Sequence, residues 1–193
     1  MRDYYKMILF VLVMGVLTSV FLGGMDLLTK DKILENQDAE LKSVILSAND
    51  VEYNFSNIHD IFEEAVVEEE HDGIAFYIDN KTGTISYIFE GSGLWGDIIG
   101  VVTLESDFET IHKVAILQQE ETPGLGGRIV EEQFLVLFVG KKMVPSIQIT
   151  KNATDSPNEV KAISGATGTS NRLQGILNTS YADALAAWEA RNN

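Results

Sequence analysis

Two short runs of small residues hold the side chains most able to do chemistry in this chain: Ser164-Gly165-Ala166-Thr167-Gly168-Thr169-Ser170 and Glu121-Thr122-Pro123-Gly124-Leu125-Gly126-Gly127. In the first, Gly165 opens backbone angles closed to other residues, and Ala166 keeps bulk away from the hydroxyl of Thr167. A helix is expected from Ser170 onward. Its free amides and positive dipole end favour an anion such as phosphate beside Thr167. In the second run Pro123 fixes its own φ, while Gly124, Gly126 and Gly127 let the backbone pass close to a flat ring. Leu125 would supply an apolar contact, Thr122 and main-chain amides hydrogen bonds, and Glu121 an anchor for the turn. Each run also has a plain structural reading. Ser164 to Ser170 can be a helix N-cap, with Ser170 as the cap, and Glu121 to Gly127 an ordinary Pro-Gly turn.

The two runs occur together with Gly93-Leu94-Trp95 and Val139-Gly140-Lys141-Lys142. On these words the sequence resembles the C subunit of the Na+-translocating NADH:quinone oxidoreductase and, more distantly, the G subunit of the Rnf complex, anchored flavoproteins of the FMN-binding family. The resemblance implies FMN joined by a phosphoester to Thr167, the threonine that directly follows Gly-Ala; Thr169 is the rival attachment point. It implies that Ser164, Gly165, Ala166, Thr169, Ser170, Glu121 to Gly127, Leu94 and Trp95 border the flavin. It further implies maturation by a magnesium-dependent flavin transferase with FAD as donor. The pattern such a transferase recognises begins with Asp, where this chain has Lys161, a reversal of charge. Trp95 is open between stacking on the ring and core packing; Trp188, on a helical stripe, reads as core. Lys151 and Arg128 are candidate partners for phosphate or reduced flavin, or else solvated surface cations.

The elements that must position these runs are legible from periodicity. From Met7 to Met25 no residue is charged, enough helix to cross a hydrocarbon core of about 30 Å. A cleaved signal peptide is the alternative, but a small-residue cleavage site is missing after Phe21. Arg2 and Lys6 precede the segment and Asp26 follows it, which predicts a cytoplasmic N-terminus and an extracytoplasmic domain. The expected organisation is an anchor over 1–25, an amphipathic helix over 26–50 stopping at Asn49-Asp50, and an FMN-binding domain over 51–193. Leu34, Leu41, Ile45 and Ala48 mark the apolar face of that helix.

Residues 51–72 are acidic and weakly periodic. Strands are expected at Ile74 to Asp79 and Thr84 to Glu90 around Asn80-Lys81-Thr82-Gly83, and at Ile98 to Leu104 and Ile111 to Gln118 around a turn. Val130 to Lys142 reads as a helical or mixed connection with Phe134, Leu135, Phe138 and Val139 buried. A short strand follows at Ile147 to Thr150 and a loop at Asn152 to Pro157. The C-terminal helix carries Leu173, Ile176, Leu177, Tyr181, Leu185 and Trp188. The fold class is α+β: one transmembrane helix, then a small domain whose largely antiparallel sheet is covered by helices.

Composition narrows the chemistry. Without cysteine, iron–sulfur clusters, zinc thiolates and disulfides are excluded, so redox work needs a borrowed cofactor. His59, His71 and His112 have no metal-ligand spacing. A formal net charge of -15 repels nucleic acid, and Glu63, Glu64, Glu68, Glu69, Glu70 and Asp72 read as a solvated face. Dinucleotide and quinone sites are expected on other subunits of a membrane redox complex. The implied role is an electron relay in the bacterial inner membrane. A stand-alone flavinylated shuttle is the alternative, and a cofactor-free acidic interaction module is the alternative of another class.

Overall fold

A computed structural model describes residues 2–191, which divide into two compact units with the boundary between Ala39 and Glu40. The first unit is helical and belongs to α1 (Arg2–Ala48), a helix long and apolar enough to cross a membrane; its apolar side chains from Met7 to Phe21 are exposed, whereas Ile45, Leu46 and Ala48 in its last turn are buried. Side-chain description begins at Asp3, so the charge expected of Arg2 lies outside the described residues. No break separates an anchor from a following helix: the hydrogen-bonded ladder runs on past Gly23 and Gly24, with no proline to interrupt it.

The second unit is built on a five-stranded antiparallel meander: β1 (Val66–His71), β2 (Ile74–Asp79), β3 (Ile85–Ser92), β4 (Asp97–Leu104) and β5 (Ile111–Gln118), in that spatial order. The four strands β2 to β5 form where alternation and turn residues place them in the sequence. Thr84 lies just before β3, its hydroxyl bound to Asn49 and Thr82. On the inward face Phe76, Tyr87, Phe89 and Val102 are buried under α4 (Thr167–Ala190). Trp188 stacks on Phe108 with centroids 5.0 Å apart and packs edge-on to Phe76, the core role its helical stripe predicts.

Several elements escape the periodicity. Residues 51–72 contain α2 (Ile58–Ala65) and the edge strand β1. Val66 is the buried residue of β1, while its glutamates are exposed or half-buried along the outer edge, a charge placement that discourages pairing with another chain. After β5 come a 3-10 turn (Gly126–Val130), α3 (Glu132–Leu135) and a second 3-10 turn (Val136–Phe138). Phe134 and Phe138 are buried as expected, but Leu135 is half-buried and Val139 exposed, because the broken helix keeps one face only against the sheet.

A small parallel sheet of β6 (Gln148–Thr150) and β7 (Glu159–Lys161) completes the unit. It is fixed to α4 by side chains: Ile149 N donates to Gln174 Oε1 at 2.7 Å, and Ile147 N to Asn178 Oδ1 at 2.9 Å. The chain leaves β7 at Lys161 and enters α4 at Thr167, so these two elements hold the intervening turn from both sides.

Candidate functional site

The Ser164 to Ser170 run turns the chain from β7 into α4. Gly165 adopts φ +85°, a left-handed conformation that strains any side-chain-bearing residue. The helix begins three residues before the expected Ser170, with Ala166 at the N-cap position and no side-chain cap. The expectation of Ser170 as the cap is therefore corrected. Its hydroxyl lies inside the first turn, donating to the Ala166 carbonyl at 3.0 Å and accepting from Ile163 N at 3.3 Å. Thr167 is the first residue of α4 and is exposed, as are Ser164, Gly165 and Gly168. Thr169 is buried, and its hydroxyl is committed elsewhere.

That commitment is to Glu121. The Glu121 carboxylate, 4% exposed, accepts the Thr169 hydroxyl at 2.6 Å on Oε2, and the Leu94 amide at 2.6 Å and the Trp95 amide at 3.3 Å on Oε1. Three segments far apart in sequence thus meet on one side chain. Hydrogen bonds to an ionised acceptor are among the stronger ones a protein makes, worth about 1.5–3 kcal/mol each when protected from water.

Around this junction the backbone is closely packed. The Thr122 carbonyl receives Leu125 N at 3.1 Å and Gly127 N at 2.9 Å, closing the Pro-Gly turn. A Cβ on Gly126 would collide with Glu121 and Thr169, so close approach dictates glycine there. The Leu125 side chain comes within 3.4 Å of the Cβ position of Gly165, and Leu94 within 3.3 Å of that of Gly168. Leu94 and Leu125 therefore lie against the turn that carries Thr167. They are still half exposed, and Trp95 is 70% exposed, so its indole is no part of the core. Thr122, Pro123 and Gly124 are exposed beside them.

The candidate cations make no hydrogen bond to Glu121 among the described residues. Lys151 is an exposed turn residue after β6, and no hydrogen bond ties it to either run among the described residues. Arg128 Nε donates to Glu131 at 3.1 Å, and Arg128, Lys161 and Ser164 line a cleft of about 320 Å³. Sequence reasoning passed over Arg172, which with Glu90, Ser92 and Asn171 lines a groove of about 350 Å³ along the first turns of α4. Its spacing of one helical turn and more from Thr167 was the available signal. The histidines of the sheet are satisfied locally: His71 meets Glu69 at 3.3 Å, and His112 meets Glu105 at 2.8 Å.

An exposed hydroxyl at a helix N-terminus, two half-exposed leucines, a bare indole and a glycine turn with open space at Gly124 suit a nucleotide with a flat apolar head. The apolar groups suit a ring, and the helix amides suit its phosphate.

Comparison with known proteins agrees. Residues 93–182 match the family model described as the FMN-binding domain. The C subunit of the Na+-translocating NADH-quinone reductase of Neisseria meningitidis is 38% identical over 103 residues, 50% of this chain and 40% of the relative. Its counterpart in Vibrio parahaemolyticus is 31% identical over 121 residues, 58% of this chain and 46% of the relative. The chain thus matches less than half the length of these curated relatives. The crystal structure of the corresponding C subunit from Parabacteroides distasonis superposes with a TM-score of 0.64 at 26% identity, covering 76% of this chain and 91% of that one. NqrC of Shewanella oneidensis, 22% identical, shares the fold with a TM-score of 0.67 over 77% of this chain and 93% of its own. The chain resembles the C subunits of the Na+-translocating NADH-quinone reductases, and its residues 93–182 match the model of the FMN-binding domain.

Proposed function

We propose that this protein is a membrane-anchored electron-transfer flavoprotein whose FMN is joined through a phosphoester to Thr167, and that it serves as a relay subunit of a Na+-translocating NADH:quinone oxidoreductase. The observation that carries this reading is the Glu121 junction, which gathers the Thr167 turn, the Glu121 to Gly127 turn and the Leu94-Trp95 segment into one site. When bound, the flavin supplies the one- and two-electron chemistry that no side chain here offers. The chain's own residues do the positioning. Leu94, Trp95 and Leu125 would border the ring and exclude water from it, while Thr122 and the Gly124 amide would serve its polar edge, the amides of Leu125 and Gly127 being bonded to the Thr122 carbonyl. Ser164, Gly165 and Ala166 present the Thr167 oxygen, and Thr169 and Ser170 brace the first turn of α4. Lys151, an exposed turn residue after β6, is proposed as a cation for the phosphate.

Attachment requires a partner, a magnesium-dependent flavin transferase. The Thr167 oxygen takes the flavin phosphate of FAD, its proton leaving and AMP departing with the electrons of the broken anhydride bond. No cysteine is present and no histidine lies in either run, so the base that activates Thr167 belongs to the transferase. The exposure of Thr167, against the burial of Thr169, favours Thr167 as the residue such an enzyme reaches.

Residues 1–25 are proposed as the single-pass anchor in the bacterial inner membrane, 26–50 as the connecting helix, and 51–193 as the extracytoplasmic FMN domain, with NADH and quinone handled by other subunits. The match to less than half of the relatives' length, together with Lys161, favours one second reading: a flavinylated shuttle working outside such a complex. Copurification from membranes separates the two. Peptide mass spectrometry after expression with a transferase tests the shared claim. The peptide bearing Thr167 gains the mass of FMN less water, and an unmodified peptide from a demonstrably flavinylated preparation would refute the attachment point.

A further inference from the structure

His112, on β5, faces two hydrogen-bond acceptors. Its Nδ1 lies 2.8 Å from Glu105 Oε1, just beyond β4, and its Nε2 lies 2.8 Å from the carbonyl oxygen of Ala48, the last residue of α1. A carbonyl only accepts, and an ionised carboxylate only accepts. A neutral imidazole has one N–H and would turn a lone pair toward one of these partners, whereas the imidazolium donates to both. The next residue, Lys113, donates from Nζ to the Ser47 carbonyl at 3.1 Å. Consecutive basic residues of β5 thus hold the last carbonyls of α1, the end of a helix that favours positive charge.

The other charged groups around His112 are few. Glu132 of α3 and Lys113 line the same groove, of about 360 Å³, and Asp50 lies in the turn after α1. The last turn of α1 is otherwise closed by the amides of Asn49 and Val51, both bonded to the Leu46 carbonyl at 3.1 and 3.0 Å.

We propose that His112 is a proton-operated latch between the last turn of α1 and β5, fastened when the ring is charged and loosened when it is neutral. Histidine is the side chain whose charge changes in the range where such a latch can act. The chain runs from β5 through Gln119, whose Oε1 accepts the Glu121 amide at 2.7 Å, so the latch ties the helix end to the strand that feeds the Glu121 turn. The folded chain offers the cation two acceptors that the unfolded chain does not. At 34% side-chain exposure the latch is partly screened by solvent, which keeps it reversible.

The test uses the full chain in detergent micelles, with nitrogen NMR of the His112 ring and amide hydrogen exchange at Asn49 and Val51, from mildly acid to mildly alkaline pH. Both ring nitrogens are expected to carry protons at the acid end. As the ring is neutralised, exchange at the two amides rises roughly tenfold beyond the intrinsic pH dependence, while core amides such as Val101 hold. In His112→Gln, which is neutral at every pH, exchange at the two amides is already fast and shows no such added response. A single neutral tautomer across the range with unchanged protection would overturn the proposal, as would an equal pH response in the glutamine variant. Neither readout needs flavin, so the latch and the cofactor reading fail separately.

Discussion

The Thr169 hydroxyl donates to Glu121 Oε2 at 2.6 Å across 48 residues of sequence, while the other oxygen of the same carboxylate receives the Leu94 amide at 2.6 Å. One buried acid thus sets the distance between the turn that bears Thr167 and the turn rich in glycine. Removing it leaves two amides and a hydroxyl without their acceptor. Glu121→Ala is expected to cost about 2–4 kcal/mol of stability, read by urea denaturation of a chain lacking the apolar segment. Glu121→Gln is expected to cost less and, on the proposed function, to slow flavin attachment. An unchanged denaturation midpoint for the alanine variant would contradict the role given to Glu121.

Gly126 is a position where the fold has no room for a methyl group, since a Cβ would strike Glu121 and Thr169. Gly126→Ala is expected to destabilise by about 1–3 kcal/mol through overpacking. Gly124 has nothing near its Cβ position but sits at φ +74°, so Gly124→Ala should lose only about 1 kcal/mol, from backbone strain. Thermal melts of the two variants, compared side by side, check the ordering.

The two tryptophans should part company. Trp188, half-buried, stacks on Phe108 at the margin of the core, and Trp188→Ala is expected to cost about 2–4 kcal/mol. Trp95 lies bare at the edge of the Glu121 junction, so Trp95→Ala should leave stability within about 0.5 kcal/mol of wild type while changing the visible spectrum of the bound flavin. A large melting shift for Trp95→Ala would place it in the core after all.

Acid stability has a specific contributor at the outer edge strand. The hydrogen bond from His71, followed by that from Arg191, holds the Glu69 carboxyl below the usual range. A depressed folded value means stability that is present above the unfolded carboxylate value of about 4.3 and is lost as pH falls through the folded one. In Glu69→Gln the acid limb of a stability-against-pH curve should be shallower, with the neutral plateau slightly lower. An acid limb identical to wild type would remove Glu69 from the account.

How far the sequence could be read depended on what each residue faces. Strands β2 to β5 are rich in β-branched and aromatic residues because the sheet packs against α4 on β3 and against α3 and the 3-10 turns on β5, and their turns carry Gly and Asp; both signals survive in the bare sequence. β1 and β7 were not visible in it, one being an acidic edge with a single buried residue and the other only three residues long. The start of α4 was misplaced by three residues because Ser is a favoured cap, yet Ser170 spends its hydroxyl on Ala166 inside the first turn. Glu121 was legible as an anchor, but its partners Leu94, Trp95 and Thr169 were not, since nothing local in sequence encodes a contact 48 residues away. The exposure of Trp95 likewise follows from the loop's path rather than from its neighbours.

The most direct measurement is flavin fluorescence of the denatured chain on a gel, after expression with a flavin transferase, for wild type, Thr167→Val and Thr169→Val. The account predicts a fluorescent wild-type band, none for Thr167→Val, and a retained though weaker band for Thr169→Val, whose hydroxyl only braces Glu121. Fluorescence that persists in Thr167→Val and vanishes in Thr169→Val would contradict it.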